Sequence, residues 1–262
     1  MSSRRRRSVE LNLLPRVRNM QTQQTEELKV AAREAGCDLV GIADLAPFKA
    51  ERAALPDGLL DGFVCAVSVA IHLDDSIVDG IGGGPTPAYA RHYRQANTTL
   101  DAITARLAEW IASRGCAGHA IPASQVVDAN RLLASISHKA VARLAGIGWQ
   151  GKSLLIVSPQ YGPRIRLATV LTDMPLICDR PLKNRCGTCD RCTRACPAGA
   201  IKNVGTKDRY GSRQDALHLD RCVERTLQFK ANPEVGAQIC GVCVQVWSFG
   251  KISTRRRRGN PA

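Results

Sequence analysis

Cys186-Gly-Thr-Cys189-Asp-Arg-Cys192-Thr-Arg-Ala-Cys196-Pro197 decides how this 262-residue chain reads. Three thiolates at i, i+3 and i+6 on a tight loop wrap one face of a cubane iron–sulfur cluster, while the fourth, on the helix that follows, points away to a second cluster. Proline after the last cysteine helps turn the chain. Zinc ribbons instead separate two Cys-x-x-Cys pairs by a dozen or more residues, and three cysteines at successive threes leave an awkward tetrahedron. The spacing therefore predicts iron–sulfur chemistry.

Working outward, a second cluster on Cys196 needs three more ligands, and Cys222, Cys240 and Cys243 supply that number downstream. By the same exchange, the first cluster, on Cys186, Cys189 and Cys192, needs a cysteine shortly after Cys243. The chain there reads Val244-Gln-Val-Trp247-Ser248, so Trp247 stands where a thiolate is expected. Indole cannot replace it, because its nitrogen only donates. Three explanations are open. Cys178, which lies eight residues before Cys186, is within reach, since eight residues span up to about 26 Å. Alternatively the first cluster holds three irons or leaves one iron open, or it is absent.

The remaining cysteines, Cys37, Cys65, Cys116 and Cys178, sit in apolar surroundings and read as small buried hydrophobes. Eleven cysteines in a chain of this size point to ligands and buried thiols in a reducing compartment, and a cytoplasmic location is expected. No apolar run approaches the roughly 18 residues of a spanning helix, so no membrane partner is expected. The chain is 44% hydrophobic and carries a net charge of +14, eight of which come from the arginine runs at 4–7 and 255–258. Those runs read as solvated tails that allow an RNA partner without requiring one.

Helical spacing of Leu28, Ala31, Ala32 and Ala35 up to Gly36, and of Leu100, Ile103, Leu107 and Ile111 up to Gly115, predicts two helices. Residues 135–144 form a third. The runs 38–42, 63–71, 154–157 and 165–171 read as strands. Beyond Pro175 the composition shifts to cysteine, arginine and small residues, too few large hydrophobes for a core of its own. The expected organisation is a disordered basic tail over 1–21, an α+β cofactor and substrate unit over 22–176, an iron–sulfur unit over 177–250 and a basic tail over 251–262.

Beyond the cysteines, three segments carry a family likeness. They are His138-Lys-Ala-Val-Ala-Arg-Leu-Ala-Gly-Ile-Gly148-Trp149-Gln-Gly151-Lys152-Ser, Leu171-Thr-Asp173-Met-Pro175-Leu, and Gly199-Ala-Ile201 directly after the cysteine run. With Arg221-Cys222 and Cys240-Gly-Val-Cys243 they resemble the epoxyqueuosine reductase family, cobalamin-dependent iron–sulfur enzymes related to the reductive dehalogenases. The resemblance covers about residues 137–248. It implies an α+β fold, with a nitroreductase-like cobalamin-binding domain followed by a ferredoxin-like domain of two 4Fe-4S clusters. It also implies a low-potential electron donor and, in members that act on tRNA, removal of the epoxide oxygen of a modified guanosine. Gly148, Trp149, Gly151 and Lys152 become the candidate cobalamin-binding residues. A dinucleotide fingerprint fails there because the glycines follow a helix rather than a strand.

The sequence departs from the family at three places. The expected catalytic aspartate position holds Leu132, with Asp128 four residues upstream, and Trp247 replaces a ligand. The chain also stops short of the family's helical-repeat region, which leaves tRNA as a partner without its usual support. Among the histidines, His92 in Tyr89-Ala-Arg-His-Tyr93 is the best placed for function. The rival readings are a ferredoxin-like electron carrier or cluster-sensing protein without substrate chemistry, and a zinc-stabilised RNA-binding protein.

Overall fold

The structure, a computed structural model, describes residues 3–50, 58–124 and 134–247, with side chains from Arg18 onward. Helix α1 (Ser3–Glu34) leads into strand β1 (Leu39–Asp44) and the short helix α2 (Ala46–Ala50). Strand β2 (Cys65–His72), helix α3 (Asp75–Asp79), the long helix α4 (Pro87–Ala112) and strand β3 (Gly118–Ile121) follow. Next come helix α5 (His138–Leu144), the small hairpin of β4 (Trp149–Gln150) and β5 (Ile156–Val157), and strand β6 (Ile165–Thr172). Four helices occupy the last part: α6 (Arg191–Ala195), α7 (Arg213–Ala216), α8 (Leu219–Ala231) and α9 (Val242–Gln245). Among the described residues no helix is long and apolar enough to cross a membrane.

The main sheet is antiparallel in the order β1-β2-β6-β3. Its two central strands are buried almost throughout, which explains why 63–71 and 165–171 read as unbroken apolar runs. The two-residue repeat of a strand then sorts their side chains between two cores. Cys65, Val67, Val69 and Ile71 of β2, with Ala168 and Val170 of β6, pack under Leu28 of α1 and Leu100, Ile103, Leu107 and Ile111 of α4. Ala66, Ala70, Ile165, Leu167 and Leu171 face the other way, onto Val141 and Ala142 of α5. The result is helices on both faces of one sheet, a mixed helix-and-sheet fold as expected.

Helix α4 starts where its chemistry dictates. Pro87 occupies the first turn, and the Thr86 hydroxyl accepts from the Tyr89 amide at 3.1 Å. Three features differ from the sequence reading. Helix α1 begins at Ser3, where residues 1–21 read as a disordered tail; the backbone carries the helix of residues 25–34 upstream through a segment lacking apolar periodicity. Strand β3 is too short to show alternation and forms by pairing with β6. Helix α8 has no buried residue, and the sequence reading did not include it although Leu219, Cys222 and Val223 share one face.

The region after residue 176 is not self-contained either. Val235, Ile239, Val242 and Val244 belong to the same core as Leu28 and Tyr89. The compositional shift near Pro175 marks a change in what organises the chain rather than a gap in its packing.

Replacing fully buried Leu107 by alanine should cost about 2–5 kcal/mol of stability. The same change at Leu227, 47% exposed on α8, should cost no more than about 0.5 kcal/mol. Chemical denaturation of the two variants measures the difference, and equal losses would contradict this account of the core.

Candidate iron–sulfur site

Cys196, Cys222, Cys240 and Cys243 line one cavity of about 60 Å³, together with Pro197, Ala200, Ile201 and Leu217. Three separate pieces of chain deliver them. Cys196 ends α6, Cys222 sits in the first turns of α8, and Cys240 and Cys243 flank the start of α9. Gly241 makes the last pair possible. Its backbone is left-handed, at φ +86°, and a Cβ there would lie 2.6 Å from the Tyr89 ring and 2.7 Å from Ile81 Cδ1. The N-terminal core thus holds the Cys240–Cys243 turn in place.

Burial and mutual repulsion disfavour the thiolate form of Cys222, Cys240 and Cys243. Burial pushes Cys243 well above the usual thiol range, and the sulfurs of Cys240, Cys192, Cys222 and Cys196 add to the shift. Cys240 and Cys222 are raised by burial first and by neighbouring sulfurs second. Four thiolates crowded in an apolar wall need cationic metal to coexist. Among the described residues no three histidine, cysteine or acidic groups converge on a single-ion site. The four thiols surround a cavity.

Cys186, Cys189 and Cys192 form the second set. Cys186 is buried, its amide donates to Asn184 Oδ1 at 2.8 Å, and the Cys189 amide donates to the Cys186 carbonyl at 3.0 Å. Cys192 is raised by burial, then by Cys186 and Cys189. Trp247 packs into the same small cluster as Cys186, Trp149 and Val157. Its indole ring lies against Gly162, where a Cβ would be 2.3 Å from Trp247 Cδ1. The residue that replaces the expected thiolate therefore sits beside the first cysteine of the set, and its side chain is packed there. The Cys178 thiol is elsewhere, 3.7 Å from the sulfur of Cys65, so the structure gives no support to its recruitment as the missing ligand.

The four candidate cobalamin residues have structural occupations. Gly148 lies against the Val157 carbonyl and Gly151 against the Val157 side chain, closing the β4–β5 hairpin. Trp149 is buried in the Cys186 cluster. Lys152 is buried, and its ammonium donates to the Cys189 carbonyl and to Asn203 Oδ1, both at 2.9 Å. It fastens the hairpin to the cysteine loop, a role invisible in sequence because both partners are distant along the chain.

Two histidines are likewise engaged. His92 Nε2 accepts from the Asp74 amide at 3.0 Å, and His138 bridges Thr169 Oγ1 at 2.8 Å and the Pro122 carbonyl at 3.1 Å. Leu132 and Asp128 lie outside the described residues. Arg164 escaped the sequence reading. It is fully buried, donates to Asp75 Oδ1 at 2.8 Å and to Asp79 Oδ1 at 2.6 Å, and reaches the Gln245 carbonyl at 3.2 Å. A buried guanidinium so anchors α9, two residues before Trp247.

No family model matches the chain. An epoxyqueuosine reductase of Bacillus subtilis strain 168 is 36% identical over 124 residues, covering 44% of this chain and 30% of that protein. One from a Synechococcus strain is 29% identical over 261 aligned positions, covering 88% of this chain and 77% of its own length. The chain thus spans less than a third of the length of the Bacillus relative. Among solved structures, a catabolic reductive dehalogenase in complex with 3-bromo-4-hydroxybenzoic acid superposes with a TM-score of 0.71. It is 20% identical, over 90% of this chain and 33% of that one. An epoxyqueuosine reductase with an epoxyqueuosine-modified tRNA-Tyr stem loop superposes at 0.57 and 23% identity, over 88% of this chain and 66% of that one.

Gly241→Ala tests the geometry. Strain at φ +86° and the contact with Tyr89 should displace the Cys240–Cys243 turn. After anaerobic reconstitution the variant should retain well under half the iron of the parent. Full iron retention would show that the turn tolerates the shift.

Proposed function

Starting from a chain related to the epoxyqueuosine reductases over most of its length, we propose an iron–sulfur oxidoreductase that passes low-potential electrons to a bound cofactor for a reductive reaction. The observation that carries the proposal is the convergence of Cys196, Cys222, Cys240 and Cys243, far apart in sequence, on one cavity. These residues fit a 4Fe-4S cluster, and Cys186, Cys189 and Cys192 fit three corners of a second.

A cluster held in the cavity supplies one-electron transfer at low potential. The chain's own part is to wall it and fix its ligands. Ala198, Ala200, Ile201 and Leu217 make the wall apolar and limit water. The Ala200 amide donates to Cys196 Sγ at 3.3 Å, which orients the sulfur. Lys152 holds the loop of the first set through the Cys189 carbonyl.

Cobalamin is the acceptor that the family resemblance suggests, in a ferredoxin-like unit joined to a nitroreductase-like one. The side chains of Trp149 and Lys152 do not fit a corrin cradle, because both are spent inside the protein, and Gly148 and Gly151 face Val157. An epoxyqueuosine-bearing tRNA is the proposed substrate, a low-potential reductant the proposed donor, and the cytoplasm the proposed compartment. Kinship with enzymes along 88% of the chain weighs against a carrier without substrate chemistry.

Anaerobic preparation, reconstitution with iron and sulfide, and titration with cob(II)alamin test the cofactor: a changed cobalt spectrum at micromolar protein would show a corrin held by residues other than Trp149 and Lys152, and an unchanged spectrum removes cobalamin. Turnover of epoxyqueuosine-containing tRNA under reducing conditions then separates enzyme from carrier. Stoichiometric zinc in place of iron would overturn the whole proposal.

Ligand roles are testable one by one. Cys240→Ala should strip the cluster of the four-thiol cavity. Trp247→Cys should raise iron toward about eight per chain, the content of two complete cubanes. Unchanged iron in Trp247→Cys would mean that the first set is not merely incomplete.

A further inference from the structure

Cys65 and Cys178 belong to neither thiol set, yet their sulfurs lie 3.7 Å apart. Cys65 opens β2 and is 5% exposed, inside the core under α1 and α4. Cys178 is only partly buried and lies on the segment that runs from β6 to the cysteine loop. Both backbones are pinned. The Ile177 amide donates to Thr25 Oγ1 at 2.8 Å, and the Asp179 amide donates to the Ile42 carbonyl at 2.8 Å. The Asp179 carboxylate accepts from the Ile42 amide at 2.8 Å and from Lys29 Nζ at 2.9 Å. Cys65 is fixed by its register between Asp44 of β1 and Thr172 of β6.

The contact also activates one sulfur. The hydrogen bond shared with Cys178 outweighs burial and pulls Cys65 below the usual thiol range. Cys37, equally removed from solvent, shows the opposite: burial pushes it up to about 11.

We propose that Cys65 and Cys178 form an oxidation-sensitive dithiol, which peroxide converts to a disulfide that staples the crossing segment to the centre of the sheet. The Cys65 thiolate attacks one oxygen of hydrogen peroxide, giving a sulfenic acid and hydroxide. The Cys178 sulfur then displaces the sulfenic oxygen, which leaves as water with the Cys178 proton. Two thiols lose two electrons in all, and one peroxide becomes two waters once the hydroxide takes up the proton lost from Cys65. The sulfurs must close by about 1.7 Å to reach the roughly 2.05 Å of a disulfide. Cys178 lies eight residues ahead of Cys186, between the pinned Ile177 and Asp179, so the bond adds a covalent anchor where the cysteine loop leaves the sheet.

The test uses the full chain, prepared without oxygen and loaded with iron and sulfide. One equivalent of hydrogen peroxide is added, free thiols are alkylated, and the protein is digested without reductant for mass spectrometry. The expected product joins the Cys65 and Cys178 peptides, about 2 Da lighter than the two thiol peptides together, and reverts with dithiothreitol. In Cys178→Ser the crosslink should vanish and dimedone should trap a sulfenic acid on Cys65. Two results overturn the proposal: separate, fully alkylated Cys65 and Cys178 peptides, or a crosslink from either residue to a cysteine of the two cluster sets. Iron-free protein should give the same crosslink, so this result stands or falls apart from the iron–sulfur reading.

Discussion

Four thiols facing one apolar cavity are a liability unless something positive sits among them. Burial and mutual repulsion push Cys243, Cys240 and Cys222 away from the thiolate form. As thiolates they would repel one another, and their positions are enforced from outside. The enforcement comes from the N-terminal part: Tyr89 and Ile81 press on Gly241, and Arg164 grips the end of α9. The second half of the chain has too little apolar material to fold around itself, and it borrows the core under α4.

The two thiol sets are built differently. The four-thiol cavity has a full complement and small, apolar walls. The three-thiol set has a tryptophan where symmetry asks for sulfur, packed against Cys186 and accommodated only because residue 162 is glycine at φ +58°. An indole in close packing is a large loss to displace, so Trp247 fills its place as a fixed structural element. Lys152 adds a charged tie between the β4–β5 hairpin and the same loop.

The Cys65–Cys178 contact lies on the path between these parts. The crossing segment is the sole covalent link from the sheet to the cysteine loop, and it is held by Thr25, Ile42 and Lys29 from α1 and β1. A thiol pair on that segment couples the oxidation state of the surroundings to the mechanics of the link.

Sequence by itself set the expectation of iron–sulfur chemistry in the last third and determined most of the first half's elements. The cysteine spacing is a local pattern, and the stripes of α4 and the central strands follow periods of 3.6 and 2 that survive without tertiary knowledge. The ligand grouping of Cys196 with Cys222, Cys240 and Cys243 followed from counting, and the fold then brought those four to one cavity. Only the tertiary structure decided the rest. The inward roles of Trp149 and Lys152, the anchoring by Arg164 and the pairing of Cys65 with Cys178 depend on partners up to 113 residues away. Strand β3 and helix α8 exist because of what they pair with or lie against. Contacts between distant residues leave no periodic trace in a chain, so their energies become visible only when the chain has closed on itself.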